Sequence, residues 1–527
     1  SEPRRELWQA LLRAVPDFRV LGTGFGTHEY VYPLYLQKWY PTRFTHAENS
    51  YLQLLVEGGI ATAVLVVAAL GTLAFWCLRS LRATRRPEAK PCTLAIAAAL
   101  GAAAVHGGVD FVWYIPSHAF VLAVLSGLAL AVNRVQRPGK VWTFPPAPRG
   151  WVGMGTVALG LLLAAWLTTS YHHARAALYW TTFQQSASPN GTETPDREGA
   201  SADMAVLRDA MAEWPDNPMY TAALAECARQ KFLHSEAWQR SSMPLLQLRA
   251  AVEASPFPTP EARDRWLTST YGPDNRTLLG ESQEQFCQTA RLCPLNAYAY
   301  LRLAELHFLA PPGGPSIAAL LEQAVKARPY DPDLHYEAGV DYLNQGNMVQ
   351  AMHCWRQSAL VSENYQQIVL AQLAEVVPLA ALVEHFQPDF ASLMALTRER
   401  FSGKDQRGAR LYLLDKAREL TLQEVDPKVI GPRMRELHYA FLAEGARQKA
   451  GQCARVAVAA EPDLVSTRLI LIRWLVQQGS FPEAKKELEW CALRDPEEPE
   501  VRILRENVFE ALADHRRRPA AVTEAQP

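Results

Sequence analysis

Residues 61–78 read ATAVLVVAALGTLAFWCL and lie inside a run of 21 uncharged residues between Glu57 and Arg79. Three more uncharged runs follow, at 91–109, 111–133 and 150–174. As a helix, each run is long enough to cross the ~30 Å of a bilayer's hydrocarbon core. A set of buried core helices is the alternative, but four such runs rich in Ala, Leu and Val favour helices that span a lipid bilayer. The sequence therefore predicts about four membrane spans, at 55–78, 92–110, 116–133 and 151–170.

Basic residues predict the orientation of these spans. Predicted loops 79–91 and 134–149 carry nine of them: Arg79, Arg82, Arg85, Arg86, Lys90, Arg134, Arg137, Lys140 and Arg149. Short loops rich in Lys and Arg stay in the cytoplasm. Residues 1–48 and 176–527 then share the opposite side. The prediction is a multi-pass protein of the bacterial inner membrane whose C-terminal part lies in the periplasm.

The C-terminal half repeats with a period of about 34 residues. Pro462 and Pro496 are 34 positions apart, and Ala450 and Ala484 fall at the small position where paired helices touch. Within 334–361, the helix-pair pattern places Gly339 as the small residue, Gly346 in the turn and Trp355 in the second helix. This period is typical of tetratricopeptide (TPR) repeats, which stack into a solenoid with a concave surface.

The predicted fold class is therefore all-α: polytopic transmembrane helices followed by a TPR-like α-solenoid. The repeats are expected over 201–515, with irregular helix pairs in 365–430. Residues 176–200 are predicted to be a linker, and residues 516–527 a tail. Concave repeat surfaces bind proteins, so one or more protein partners are expected.

Composition excludes some other classes. The formal net charge of −1 gives no indication of nucleic-acid binding. The eight cysteines form no CxxC pair and no Cys/His cluster at metal-ligand spacing, so no metal site is predicted. The chain begins with Ser1 in what reads as mid-domain sequence, and we expect a fragment of a longer protein.

Residues 1–48 are predicted to form a loop outside the membrane. RRELWQALLRA, residues 4–14, has apolar residues at helical spacing and predicts an amphipathic helix. LGTGFGT, residues 21–27, superficially resembles a phosphate-binding glycine loop. No strand precedes it, so a turn that needs positive φ is the favoured interpretation.

The sharper motif is HAENSYLQLLVEGG, residues 46–59, which runs directly into the first span. Together with RRELWQALLRA, LGTGFGT, a Tyr/Pro-rich stretch at 30–40 and HGGVDF at 106–111, it resembles the O-antigen ligase/polymerase family. The resemblance covers about residues 4–133. It implies an integral-membrane glycosyltransferase that needs neither metal nor cofactor and uses a glycan linked to undecaprenyl diphosphate. In the family's ligases, a His-Asn pair is followed by nine residues, Gly, two residues, and Gly, Thr or Tyr. Asn49, Gly59 and Thr62 fit this frame, while Glu48 stands at the histidine position and His46 lies two residues upstream.

The chemistry of glycan transfer suggests roles for nearby residues. A base must take the proton of the acceptor hydroxyl, and cations must stabilise the leaving diphosphate. Glu48 or His46 is the predicted base. The predicted diphosphate contacts are Arg4, Arg5, Arg43 and Asn49.

The same residues also allow structural interpretations. Thr45-x-x-Glu48 is a capping box, and Asn49 and Ser50 are also good helix starters, so these residues would simply begin the first span. Arg4 and Arg5 are also compatible with a solvated helix face. His106 and Asp110, at i and i+4, are either a polar pair of a site at the outer mouth of the second span or a cap before Pro116.

Two functions follow from these patterns. The chain is either part of an O-antigen ligase/polymerase-like enzyme that transfers glycan to an acceptor hydroxyl, with a periplasmic TPR region for protein interaction, or a membrane-anchored TPR scaffold without catalytic activity.

Overall fold

The computed structural model describes residues 2–83, 86–136, 149–186, 197–241, 243–255, 257–374 and 377–517. Every regular element in these ranges is a helix, which confirms the all-α prediction. The chain forms two compact units, residues 1–361 and 362–527.

Six helices precede the repeats: α1 (Glu2–Ala14), α2 (His28–Tyr35), α3 (Ser50–Leu81), α4 (Lys90–Gly107), α5 (Pro116–Gln136) and α6 (Arg149–Ser186). The last four are long and apolar enough to cross a bilayer, so the predicted number of spans is confirmed. Two short 3-10 helices, Pro87–Ala89 and Val112–Tyr114, lie between them. Parts of the predicted cytoplasmic loops, at 84–85 and 137–148, fall outside the described residues.

The spanning helices expose apolar side chains along much of their length. Leu65 in α3 is 70% exposed, and so is Phe120 in α5, while Leu162 in α6 is 69% exposed. In water such surfaces would be unfavourable, whereas hydrocarbon tails cover them at no cost. This chain is therefore a membrane protein.

Helix α6 is longer than the sequence predicted. It runs through Ser186, so the prediction of a linker beginning at 176 is wrong for residues 176–186. Packing explains the extension: Ala176 is fully buried, His172 Nδ1 lies 2.6 Å from a Glu213 carboxylate oxygen, and the His173 ring stacks on Trp214. The next helix already begins at Arg197. Of the predicted linker, 187–196 lies outside the described residues.

Ten helices complete the first unit: α7 (Arg197–Glu213), α8 (Pro218–Leu233), α9 (Glu236–Ser241), α10 (Leu245–Ala254), α11 (Pro260–Tyr271), α12 (Pro273–Leu292), α13 (Ala297–Glu305), α14 (Ile317–Ala327), α15 (Pro332–Asn344) and α16 (Met348–Val361). A 3-10 helix, His307–Leu309, follows α13.

The pair α15 and α16 forms as the repeat pattern predicted. A Cβ on Gly339 would lie 2.4 Å from Trp355 Nε1, so only glycine allows this approach. The Trp355 indole is held in place because it donates to the Tyr336 carbonyl oxygen at 3.2 Å. Gly346 occupies the turn with a φ of 74°.

Nine helices form the second unit: α17 (Glu363–Leu373), α18 (Leu379–Phe386), α19 (Phe390–Ala395), α20 (Arg407–Leu422), α21 (Pro427–Ala443), α22 (Arg447–Ala460), α23 (Val465–Gln477), α24 (Phe481–Arg494) and α25 (Pro499–Arg517). A π-helical segment, Leu396–Arg400, and a 3-10 helix, Lys404–Gln406, interrupt the regular pairing, in line with the irregularity expected after 365. Ala450 and Ala484, the predicted small positions, are fully buried. Of the predicted tail, 518–527 lies outside the described residues.

One buried ion pair connects distant helices of the first unit. Arg249 in α10 donates to both carboxylate oxygens of Asp341 in α15, at 2.5 and 2.9 Å, and also to the Ala304 carbonyl oxygen at 2.8 Å. The two side chains are 2% and 3% exposed. Because neither charge reaches water, each depends on the other.

Removing only the arginine should therefore be more harmful than removing both charges. We expect Arg249→Met to cost about 3–5 kcal/mol, since it leaves a buried carboxylate unpaired. Hydrogen exchange of α10 and α15 in the full-length protein measures this local free energy. The double change Arg249→Met, Asp341→Leu should recover most of the loss. Equal exchange in the single and double variants would contradict this account.

Candidate functional site

The candidate site is built on α1 and the segment that leads into α3. Leu7, Ala10, Leu11 and Ala14 are fully buried at helical spacing, which confirms the predicted amphipathic helix. They form a core with residues of α2 and of the N-terminal turns of α3. On the same helix, Trp8 Nε1 donates to the Ala47 carbonyl oxygen at 2.8 Å and ties α1 to the HAEN segment, residues 46–49.

The glycine loop is a turn, as the sequence favoured. Gly22, Gly24 and Gly26 all have positive φ, at 72°, 100° and 79°. A Cβ on Gly22 would lie 2.3 Å from the backbone of Glu57, so the loop lies directly against α3. The glycine loop therefore packs on the backbone of α3.

The loop contacts α3 where that helix is broken. Gly59 interrupts the helix with φ 65° and ψ −168°. Backbone hydrogen bonds with residues 19–24 satisfy groups on both sides of the break. Thr23 N donates to Val56 O and Gly24 N to Glu57 O, both at 2.9 Å, and Ile60 N donates to Arg19 O at 2.8 Å. The uninterrupted spanning helix thus begins at Ile60, after a short helix at 50–58.

The capping box predicted at Thr45 and Glu48 is wrong. Helix α3 begins at Ser50, and its N-cap is Asn49, whose Oδ1 accepts from the Leu52 amide at 3.0 Å. Asn49 Nδ2 donates to the Gly108 carbonyl oxygen at 2.9 Å, so both ends of the side-chain amide are engaged. Asn49 was among the helix starters that the sequence offered, whereas its second bond, to a turn 59 residues away, is not visible in a local pattern.

Glu48 is thereby released from capping and placed in an unusual conformation. Its φ of 54° lies in the left-handed region, which non-glycine residues seldom adopt. Arg4 Nη2 lies 2.7 Å from its carboxylate, and the two side chains are 43% and 30% exposed. Such strain at a partly exposed charged residue is common at functional sites.

His46 lies against the turn between α4 and α5. Its ring stacks on Phe111 at a centroid distance of 4.4 Å and meets the edge of Tyr114 at 5.8 Å. Its Nδ1 is 3.1 Å from the Thr45 hydroxyl. These two ring contacts and the Thr45 hydroxyl therefore restrain the imidazole.

His106 and Asp110 belong to the same turn. His106 Nε2 is 3.4 Å from the Asp110 carboxylate, although α4 ends at Gly107 and Asp110 lies beyond the helix. Arg4 reaches this turn as well, with Nη1 3.4 Å from the Val109 carbonyl oxygen. The turn therefore meets α1 and the HAEN segment in one region.

Two predicted arginines lie apart from this cluster. Arg43 pairs with Glu29 at 3.1 Å and lines a separate cavity. Arg5 is exposed on the outer face of α1. Among the described residues, no three His, Cys, Asp or Glu side chains are grouped as metal ligands would be.

Sequence reasoning missed a buried carboxylate in α3. Glu57 is fully buried, and three donors satisfy it: Tyr114 OH at 2.9 Å, Gln53 Nε2 at 3.3 Å and the His28 backbone amide at 3.3 Å. It joins α2, α3 and the turn before α5. The spacing of Asn49, Gln53 and Glu57 by four residues, a polar stripe on an apolar helix, is the signal that could have indicated this network.

His28 gives this region a dependence on pH. Burial lowers the pKa of the His28 imidazole to about 4, with a smaller contribution from the nearby charge of His46. The unfolded chain binds a proton near pH 6.5, and the folded chain does so only near 4. Stability is therefore complete above about pH 6.5 and falls by roughly 3 kcal/mol as the pH drops to about 4.

We expect His28→Phe to weaken this dependence, because phenylalanine fills a similar volume and does not titrate. Thermal unfolding of the full-length protein at about pH 7 and about pH 4.5 measures the difference, which should shrink in the variant. The change His353→Phe, at an exposed histidine, serves as the control. Equal acid sensitivity of wild type and His28→Phe would refute the assignment.

Comparisons with known proteins agree with these features. Residues 1–67, which include α1, the glycine loop, the HAEN segment and the break in α3, match the family model of the O-antigen ligases. No curated protein matches the chain.

Solved structures of other helical proteins are similar at low identity. The yeast Tom70 structure is 10% identical, with 86% of this chain and 81% of that chain covered and a TM-score of 0.24. The APC/C hetero-tetramer Cut9-Hcn1 is 15% identical, with 60% and 53% covered and a TM-score of 0.21, so the match spans about half of that chain. The TPR domain of P58(IPK) is 11% identical, with 65% and 99% covered and a TM-score of 0.19.

These TM-scores are too low for the solved structures to indicate a function. The repeat fold follows from the helix pairs themselves. The match over residues 1–67 confirms the resemblance seen in the sequence. The chain thus joins an O-antigen-ligase-like segment to TPR-like helical repeats.

Proposed function

We propose that the chain is part of a membrane enzyme that transfers a glycan from an undecaprenyl-diphosphate carrier to an acceptor hydroxyl. The observation that carries the proposal is the ion pair of Arg4 and Glu48, partly exposed at the mouth of the first spanning helix and within the segment that matches the ligases. A cation and a proton acceptor in direct contact are the two groups that this reaction requires.

The transfer step can be written with these residues. The acceptor oxygen forms a bond to the anomeric carbon of the glycan, and its proton passes to the Glu48 carboxylate or the His46 imidazole. The bond between that carbon and the phosphate oxygen breaks, and undecaprenyl diphosphate leaves with the electron pair. Arg4 turns from Glu48 to the diphosphate, which frees the carboxylate to accept the proton.

Four other candidate residues are proposed to assist in different ways. Arg5, exposed on the outer face of the same helix, is available to the leaving diphosphate. Asn49, although engaged as the N-cap, remains a proposed neighbour of the carrier. His106 and Asp110 border the site and are proposed to orient the substrate.

The proposed location is the inner membrane of a bacterium, with the repeats in the periplasm. Two observations support it. Basic residues at 79–90 follow the first span, as expected for a cytoplasmic loop. Leu295, in the repeats, packs against the core formed by α1 and α2, which supports a position of the loop and the repeats on the same side of the membrane. The repeats are proposed to bind a protein partner there.

Reconstitution tests the proposal. Proteoliposomes that contain the full-length protein, supplied with undecaprenyl-diphosphate-linked glycan and an acceptor, should release undecaprenyl diphosphate and form glycosylated acceptor. Absence of transfer, together with stable capture of envelope proteins by the same preparation, would favour the scaffold function instead.

A further inference from the structure

A cavity of about 460 Å³ lies between the segment after α2 and the first repeats. Residues 38–43 form one wall, and residues of α8, α12, α13 and the start of α15 form the other. The volume is in the range of small-ligand sites. None of the residues placed in the transfer step, Arg4, His46 and Glu48, lines this loop-repeat cavity.

Aromatic rings and planar charged groups line the loop-repeat cavity together. The rings include Trp39, Tyr40, Tyr298 and Tyr330, and the charged groups include Arg43, Arg328 and Asp331. A pyranose ring presents an apolar face of C–H groups and an edge of hydroxyls. Aromatic faces suit the first, while guanidinium and carboxylate groups hydrogen-bond neighbouring hydroxyls in pairs.

The charged groups are already arranged before any ligand binds. Arg328 Nη1 lies 3.1 Å from the Asp331 carboxylate, and Tyr298 OH donates to the same carboxylate at 3.2 Å. The Arg328 guanidinium also lies 5.7 Å from the centre of the Tyr298 ring. Because these side chains hold each other, binding would cost little ordering entropy.

Tyr40 supplies an observation of a different kind. Its hydroxyl is buried and has no hydrogen-bond partner within the described part of the chain. Its ring is held separately, edge-on to Phe44 at 5.9 Å. Buried polar atoms usually have partners, so this hydroxyl in the cavity wall is free to hydrogen-bond a ligand group.

We propose that the loop-repeat cavity binds a saccharide, and that this saccharide is the acceptor of transfer; only the second statement rests on the proposed function. The loop supports the link, because Arg43 in the cavity wall is five residues before Glu48. The chain between them spans at most about 18 Å. A few sugar rings would bridge that distance.

A peptide is the other class of ligand that helical repeats bind. An extended peptide requires an open groove along several repeats. Here residues 38–43 cover the face of the repeats and leave a pocket instead. A pocket with rings on its walls favours a saccharide.

Binding by the full-length protein in nanodiscs tests the proposal. The probes are lipopolysaccharide core oligosaccharide, chitohexaose, maltohexaose and an unstructured peptide, each measured by calorimetry. We expect saturable binding of at least one saccharide. Tyr40→Phe should weaken it about fivefold to tenfold, which corresponds to one lost hydrogen bond.

Tyr40→Phe is decisive because the hydroxyl has no internal partner to lose, so a purely structural role predicts unchanged affinity. Trp39→Ala should weaken binding more strongly, while Trp266→Ala, a partly exposed tryptophan outside the cavity, should leave it unchanged. Failure of all three saccharides to bind, binding of the peptide alone, or unchanged affinity in Tyr40→Phe would each overturn the proposal.

The two proposals fail separately. If saccharide binds and no protein transfers glycan, the cavity assignment stands and the proposed enzyme activity falls.

Discussion

Replacing Glu48 with glutamine and His46 with alanine in one variant is expected to lower glycan transfer by about 100-fold to 10,000-fold, the usual contribution of a general base. The carboxylate and the imidazole are the two proton acceptors proposed as the base. Glutamine keeps the shape of Glu48 but accepts no proton. Initial rates in proteoliposomes of equal protein content measure the effect.

The control is Glu2→Gln, a carboxylate-to-amide change in the same helix as Arg4. Glu2 pairs with Lys38 at 2.8 Å, and both side chains are exposed, so transfer should be unchanged. Each single variant then shows which group acts as the base, because only the residue that takes the proton should give a large loss by itself. Full activity in the double variant would discard both residues.

Gly59→Ala is expected to destabilise the membrane region by about 3 kcal/mol or more, since the backbone there is accessible almost only to glycine. With φ 65° and ψ −168°, an alanine would be strained even in open space. The space is not open, because a Cβ would lie 2.3 Å from the Val20 carbonyl oxygen. We expect a strong loss of folded protein extracted from membranes, measured by size-exclusion chromatography.

Gly71→Ala is the matched control within the same helix. A Cβ at Gly71 meets nothing within 4 Å, and alanine favours a helix over glycine by about 0.5–1 kcal/mol. Its yield should equal or exceed that of the wild type. Normal yield of Gly59→Ala would show that the helix break has no structural importance.

The sequence was sufficient to predict the membrane spans, because a long uncharged run is stable as a helix in hydrocarbon. It also predicted the repeat pair around Gly339 and Trp355, since close approach of two helices needs a small residue opposite a large one. These features depend on residues near one another in the chain. Local sequence patterns therefore predict both the spans and the repeat pair.

The break at Gly59 and the distant partners of Glu57 were not predictable in this way. The break exists because a loop almost forty residues earlier supplies its hydrogen bonds, and Glu57 is hydrogen-bonded by donors from two other elements. A linear pattern reads both residues as part of one continuous helix. The extension of α6 has the same origin, because contacts with the next helices hold residues 176–186 in a helix.

Helix α6 is longer than the hydrocarbon core of a bilayer is thick. Its 38 residues measure about 57 Å at ~1.5 Å per residue, while the hydrocarbon core takes only ~30 Å. His172 and His173 lie just after the predicted span and contact Glu213 and Trp214, so the base of the remaining length is held against the end of α7. A substrate carried by the first repeats would thus be presented at a constant distance from the lipid surface, so that only chains of a suitable length would meet the carrier.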